Sequence, residues 1–241
     1  MSGYVDLHLH YVPGVDDGVA TVEDGLAVCR GLRRLGYDTL VATPHIRTAM
    51  FDNHKSGLEA EFARFHAVAG NEIDMPTLAV AAEHFFDDVF FDRFERGECM
   101  LYPGGHAALV ELPNMHLPMS LEAGLFRMNV RGVTPVLAHP ERYRPLFRST
   151  DPIAALVEGG LLAQLDMMAL IGHYGRAPRR AAERMLDEDV YYIAATDAHR
   201  PEDVPRVAKA IEVLHSRVGA EQARKLLVDH PRRILEGRID R

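Results

Sequence analysis

The stretch Asp6–Gly18 reads DLHLHYVPGVDDG. It ends a short apolar run, YVDLH (4–8), with two histidines two residues apart, and a paired aspartate follows after a Pro-Gly turn. Residues two apart on a strand point to the same side, so His8 and His10 can both face one ion. Asp16 and Asp17 lie in the following loop and can fold back over the end of the strand. The residues after the run, HLHYVPG, contain no G-x-G-x-x-G turn, which weighs against a dinucleotide-binding fold.

Six further runs of the same kind follow: DTLVA (38–42), TLAVAA (77–82), AALVE (107–111), TPVLA (134–138), LLAQLD (161–166) and VYYIAA (190–195). Each is apolar at nearly every position, as strands of a parallel sheet covered on both faces are. Helical patterns lie between them. Thr21 and Asp24 resemble a capping box before a helix that stops at Gly36. Residues 55–69 carry Leu58, Phe62, Phe65 and Val68 at helical spacing, and 120–132, 151–160 and 178–189 behave alike. Asp151-Pro152 reads as an N-cap followed by an N1 proline. From Val204 on the pattern is helical throughout. No linker, repeat or low-complexity stretch interrupts the series, so residues 1–241 are expected to form a single domain. The fold class is α/β, and seven βα units in succession fit a closed barrel or an open doubly wound sheet.

The ends of the runs carry the candidate chemistry. The first ends in His8 and His10, the second in His45, the third in Glu83, the fourth in Glu111, the fifth in His139, the sixth in Asp166, and the seventh in Asp197 and His199. Taken singly, a strand-end histidine is usually an ordinary hydrogen-bonded residue. Independent structural residues, however, would not all fall at the same end of successive strands. In a βα barrel that end is where active sites form. The candidate metal ligands are therefore His8, His10, Asp17, His45, Glu83, Glu111, His139, Asp197 and His199. They are too many for one ion and suffice for two or three. Mixed imidazole and carboxylate donors suit Zn²⁺, Mn²⁺ or iron. His84 should point away from Glu83. His54, His66, His106, His116, His215 and His230 lack the strand-end placement and are read as surface or core residues.

Composition excludes other classes. A net charge of −8 with no long Lys/Arg run argues against a nucleic-acid surface. Cys29 and Cys99 form no framework and no Cys-x5-Arg loop, so they are read as free thiols in a reducing compartment, and a cysteine phosphatase is excluded. The N-terminus has no signal-peptide pattern, and no apolar stretch of about 18 residues occurs, so a cytoplasmic protein without membrane insertion is expected.

At these residues the sequence resembles the polymerase and histidinol phosphatase (PHP) superfamily, and within it the bacterial manganese-dependent protein-tyrosine phosphatases of capsule and exopolysaccharide biosynthesis. TPHIRTAMF, AAEHF, ALVELP, LAHPERY, TDAH and the terminal DHPRRIL fall in order, so the resemblance spans nearly the whole chain. It implies a distorted seven-stranded, TIM-like (β/α)7 barrel and two to three divalent ions, manganese first, with zinc or iron as alternatives. It implies that His8, His10, Glu83 and Asp197 hold one ion. Asp17, His45 and His199 would hold a second, and Glu83, Glu111 and His139 a third. Arg142 matches a phosphate-gripping arginine, and either Arg200 or Arg206 could serve as another. Arg47, at the same rim, can reach substrate or remain a solvated loop residue. The run QLDMMALIGHYG departs from the relatives, which carry Asn and a small hydroxyl residue where Asp166 and Met167 stand. The implied substrate is phosphotyrosine in a protein, with a bacterial tyrosine kinase as partner. Arg142, Asp197 and His199 are the implied catalytic residues, and the leaving phenolate takes its proton from water at the ions or from an acid near His199. The alternatives are a small-molecule phosphomonoesterase acting on an ester such as histidinol phosphate, a nonenzymatic metal-binding regulator, and a nuclease. Oligomeric state is not legible.

Overall fold

The computed structural model describes residues 3–239, so the ends of the expected 1–241 domain lie outside the described residues. The strands are β1 (Tyr4–Leu9), β2 (Tyr37–Ala42), β3 (His45–Ile46), β4 (Thr77–Val80), β5 (Glu83–Phe85), β6 (Ala107–Glu111), β7 (Thr134–Ala138), β8 (Leu162–Asp166) and β9 (Tyr191–Ala195). The helices are α1 (Val22–Arg34), α2 (Lys55–Ala69), α3 (Asp88–Glu95), α4 (Leu121–Val130), α5 (Asp151–Glu158), α6 (Arg176–Asp187), α7 (Val204–Arg224) and α8 (His230–Leu235). Every strand pairing is parallel, in the order β1-β2-β4 and β3-β5-β6-β7-β8-β9.

These nine segments are the seven expected runs. β2 continues past Thr43-Pro44 as β3, and β4 continues past Ala81-Ala82 as β5. Proline has no N–H for the ladder, so β2 is interrupted at Pro44. The two broken strands stay joined across the gap, because Ala81 N donates to Ala42 O at 2.8 Å and Glu83 N to Pro44 O at 3.1 Å. β9 meets β1 beyond the strand ends, where Asp197 N donates to His8 O at 2.8 Å and His10 N to Ala198 O at 2.9 Å. The result is a distorted seven-stranded barrel that closes at its C-terminal rim.

A buried carboxylate reinforces that seam. Asp6 on β1 accepts from Thr196 Oγ1 at 2.6 Å, Thr196 N at 3.2 Å and His8 N at 3.2 Å. Burial pushes this carboxyl up to about 6, although the Thr196 and His8 hydrogen bonds act in the opposite direction. Strand alternation divides the core. On β6, Ala107 and Leu109 belong to a cluster with Val41, Val136 and Ile193, whereas Ala108 and Val110 pack into the larger cluster that includes helices α1 and α4. Glu111, two beyond Leu109, therefore leaves β6 on the side of the smaller cluster.

The helices follow the expected pattern with three differences. Thr21 caps α1 as expected, accepting from Asp24 N at 3.2 Å and donating to Asp24 Oδ2 at 2.9 Å. The cap of α5, however, is Thr150 rather than Asp151. Asp151 is already helical, and its N–H donates to Ser149 Oγ at 3.1 Å, so the serine hydroxyl takes the role expected of the aspartate. The helical region from Val204 is broken at Gly219, which adopts φ 77°, and a π-turn (Lys225–Asp229) joins α7 to α8. α3 was not expected; its Asp87 cap accepts from Phe90 N at 2.7 Å.

If Asp6 holds the seam, Asp6→Ala strands the buried donors of Thr196 and His8. It should then cost about 2–3 kcal/mol and lower the melting temperature by roughly 5–10 °C. Thr196→Val, which removes only the hydroxyl, should cost about 1 kcal/mol. Thermal melts of both variants within error of the wild type would show that the backbone bridges close the barrel unaided.

Candidate metal centre

All nine expected donors lie at the closing rim. They form four overlapping groups: His10, Asp17, His45 and His199; His8, His10 and Asp197; His8, Glu83 and His139; and His45, Glu83 and Glu111. Within each group the donor atoms lie within 4.8 Å of one another. The grouping differs from the expected sets: Glu83 is not grouped with His10 and Asp197, and His10 also joins Asp17, His45 and His199. His139 joins Glu83 through His8, while Glu111 joins Glu83 through His45, so His139 and Glu111 share no group. The backbone shows why: His139 leaves β7 in the left-handed region at φ 34°, which turns its ring toward His8, 5.6 Å away between centroids. Asp197 is also left-handed, at φ 51°. Non-glycine residues held there carry strain, and such strain concentrates at functional sites.

Glu83 is the hub. Its carboxylate is 1% exposed and lies 3.1 Å from His8 Nε2, 3.0 Å from His45 Nδ1 and 3.1 Å from His139 Nε2. Burial opposes its charge, but the His8 and His45 imidazoles outweigh burial and hold the carboxyl well below the ordinary range. Burial likewise opposes a charged His8, and Glu83 and Asp197 outweigh it, holding that imidazole well above its usual value. Glu111 is pushed the other way, to about 7, by burial and by the neighbouring Glu83.

The outer nitrogens of three rings are tied back. His8 Nδ1 donates to Gln164 Oε1 at 2.8 Å, His10 Nδ1 to Asp16 Oδ2 at 2.6 Å, and His199 Nδ1 to the Asp197 carbonyl at 2.7 Å. Each bond fixes the ring so that, in its neutral form, Nε2 directs its lone pair at the centre, as outer partners of metal-ligating histidines do. Gln164 was not expected, yet its signal was available: it stands two before Asp166 on β8 and so shares its side. Asp16 folds back as anticipated, but as a brace. It also accepts from His45 N at 3.1 Å and Gly18 N at 3.0 Å.

The site fits divalent cations on its own chemistry. His10 Nε2 and Asp197 Oδ1 are buried, lack a hydrogen-bond partner and stand 3.4 Å apart. A buried nitrogen lone pair facing a carboxylate oxygen costs free energy unless a proton or cation lies between them. The donors are imidazoles and carboxylates only, the set suited to zinc, manganese or iron.

The arginines separate. Arg142 reaches Asp197 Oδ2 at 2.6 Å and lies over the Tyr174 ring at 4.5 Å. Arg47 stacks on Phe85 at 4.0 Å, and its charge is felt by Glu111. Arg206 is held by Asp203 at 2.7 Å, and Asp203 also accepts from Arg200 N at 3.1 Å; the Arg200 side chain is exposed. Phe51 stacks on His45 at 5.1 Å between centroids, a contact that the sequence did not signal. His84 points away as expected, to the Met100 carbonyl at 3.1 Å. His215 and His230 bond to Tyr4 and to the Tyr192 carbonyl, remote from the donors.

Both cysteines are free and buried. Burial raises both thiols, Cys99 to about 12 and Cys29 further. Neither should alkylate with iodoacetamide in the native protein at about pH 8, and both should label in denaturant. Native labelling, read by intact mass, would contradict this burial.

The chain is similar to known proteins over nearly its whole length. The profile described as "Capsular polysaccharide synthesis, CpsB/CapC" matches residues 4–236. The tyrosine-protein phosphatase CpsB of Streptococcus pneumoniae is 27% identical over 238 residues, covering 96% of this chain and 98% of that protein. The tyrosine-protein phosphatase YwqE of Bacillus subtilis is 26% identical over 219 residues, covering 90% and 86%. A crystal structure from work on YwqE of Bacillus subtilis and CpsB of Streptococcus pneumoniae, described as unique metal-dependent tyrosine phosphatases, superposes with a TM-score of 0.90. It is 23% identical and covers 98% of this chain and 95% of its own, and so supports the barrel. By the match over residues 4–236, the chain belongs to the CpsB/CapC family of capsular polysaccharide synthesis.

Proposed function

We propose that this protein is a metal-dependent phosphatase that hydrolyses phosphotyrosine in proteins and so regulates polysaccharide synthesis through a tyrosine kinase. The observation that carries the reading is the convergence of four donor groups on one rim, with Arg142 beside them. The family and the named activities of CpsB and YwqE supply the substrate class. On this reading residues 1–241 act as one cytoplasmic metallophosphatase domain. Among the described residues no helix is long and apolar enough to cross a membrane.

His8, His10, Glu83 and Asp197 would hold one ion. His45, Asp17 and His199 would hold a second, and Glu83 with Glu111 and His139 a third, two to three in all and manganese by preference. Divalent ions held there would acidify water and offset the charge of a phosphate ester. The chain's own groups do the rest. Arg142 offers a planar fork to phosphate oxygens. Arg47 adds a second cation at the mouth. Gln164 and Asp16 hold His8 and His10 in the ligating tautomer. A phenolate leaving group, with a pKa of about 10, needs only modest protonation help, which water held at the ions would give.

Stripped of metal, the protein should release no phosphate from a phosphotyrosine peptide, and Mn²⁺ should restore release in the wild type but not in His8→Ala. Hydrolysis of histidinol phosphate in clear preference to the peptide would replace the substrate assignment, and no release with any divalent ion would remove the phosphatase reading. Gln164→Leu should weaken metal affinity by roughly ten- to a hundredfold in a metal titration, because it frees the tautomer of His8. Unchanged affinity would show that Gln164 does not orient that ring.

A further inference from the structure

We propose that Asp166 and Tyr174 are positioning residues for Arg142, holding its guanidinium so that one edge stays available for two oxygens of a phosphate group. The inference rests on the phosphatase reading above and deepens it.

An arginine at an open mouth has many rotamers, and ordering it on binding costs entropy. Here the side chain is already held from three directions. Arg142 Nη1 lies 2.6 Å from Asp197 Oδ2 and 3.7 Å from Asp166 Oδ2, and Cζ lies 4.5 Å above the Tyr174 ring. Both carboxylates face the same nitrogen. Among the described residues no protein group is bonded to Nε or Nη2, and the side chain is 25% exposed. The Nε–Nη2 edge is the one that grips two oxygens of a phosphate in parallel.

Asp166 sits at the end of β8, fully buried. Its Oδ1 accepts from Met168 N at 2.9 Å, while Oδ2 faces Arg142 Nη1 at 3.7 Å, and the Tyr174 hydroxyl interacts with the same carboxyl. A buried carboxylate oxygen left bare is costly unless a charge faces it, and Arg142 is that charge. Tyr174 lies in the turn Gly172–Gly175, whose two glycines adopt φ 78° and 99°. His173 N donates to Met168 O at 3.2 Å and Gly175 N to Gly172 O at 3.0 Å, so the turn is closed on itself and fixes the ring. Asp197 completes the arrangement: Oδ2 holds Arg142 while Oδ1 lies 3.1 Å from His8 Nε2, among the metal donors. A phosphate gripped by Arg142 is thereby brought up against those donors. The segment Asp166–Gly175 thus acts on substrate through Arg142 without touching it.

The test is a mutant cycle with two readouts on the metal-loaded protein: equilibrium binding of inorganic phosphate, and kcat and KM on a phosphotyrosine peptide. Tyr174→Ala should weaken phosphate binding and raise KM by about tenfold, with kcat within about twofold. Tyr174→Phe keeps the ring but removes the hydroxyl beside Asp166, and should fall between wild type and Tyr174→Ala. Asp166→Asn should move KM and phosphate affinity in the same direction as Tyr174→Ala. In an Arg142→Ala background, Tyr174→Ala should add nothing, and Tyr174→Ala, Tyr174→Phe and Asp166→Asn should each leave bound metal as in the background that carries them. A full additional loss in the Arg142→Ala background overturns the proposal, as does a fall in kcat and metal content with KM unchanged. Should Tyr174→Ala fail to fold, Tyr174→Leu preserves bulk without the ring face and is held to the same outcomes. Phosphate binding is read without turnover. If no peptide is hydrolysed yet phosphate affinity still follows the cycle, the positioning roles stand and the substrate reading falls.

Discussion

A buried carboxylate must be paired, and in this protein the pairing of Glu83 organises everything around it. Its two oxygens face His8, His45 and His139 at 3.0–3.1 Å from three different strands. With no water to solvate it, the charge persists only because imidazoles or cations surround it. Those imidazoles are in turn held by Gln164 and Asp16, and Asp197 links them to Arg142. The rim is therefore one connected electrostatic unit, and a change at any member leaves another charge uncompensated.

The barrel supplies the convergence. Parallel strands with period-2 alternation bring every second residue to one side, and closure between β1 and β9 brings the first and last ligand pairs within reach. The break at Thr43-Pro44 lets His45 begin a new ladder beside Glu83, in direct register with it. Strain concentrates at the same place: His139 and Asp197, both donors, stand in the left-handed region. Neither residue type is glycine, so the surrounding hydrogen bonds and packing must impose these conformations.

The outer parts of the site are of a different kind. Arg142, Tyr174, Asp166 and the Arg47–Phe85 stack lie around the donors and add charge and aromatic surface where a phosphorylated side chain would enter. Arg206, offered by the sequence as an alternative to Arg200, is held by Asp203 at the start of α7.

The sequence by itself determined the seven strands and their parallel character, and it placed nine candidate donors at one end of them. Apolar runs and strand-end His, Asp and Glu are local patterns, and period-2 alternation turns them into directions. It also carried the family motifs, from DLHLH to TDAH. Only the tertiary structure decided which donors meet. His139, left-handed at φ 34°, groups with His8 and Glu83, and no residue pattern announces that angle. Phe51 on His45 and Tyr174 under Arg142 were likewise unannounced, whereas Gln164 behind His8 was signalled by its place two before Asp166. These contacts join residues that are distant in the chain, except Phe51, or presented by turns, and side-chain direction in a turn depends on backbone angles that residue type alone leaves free.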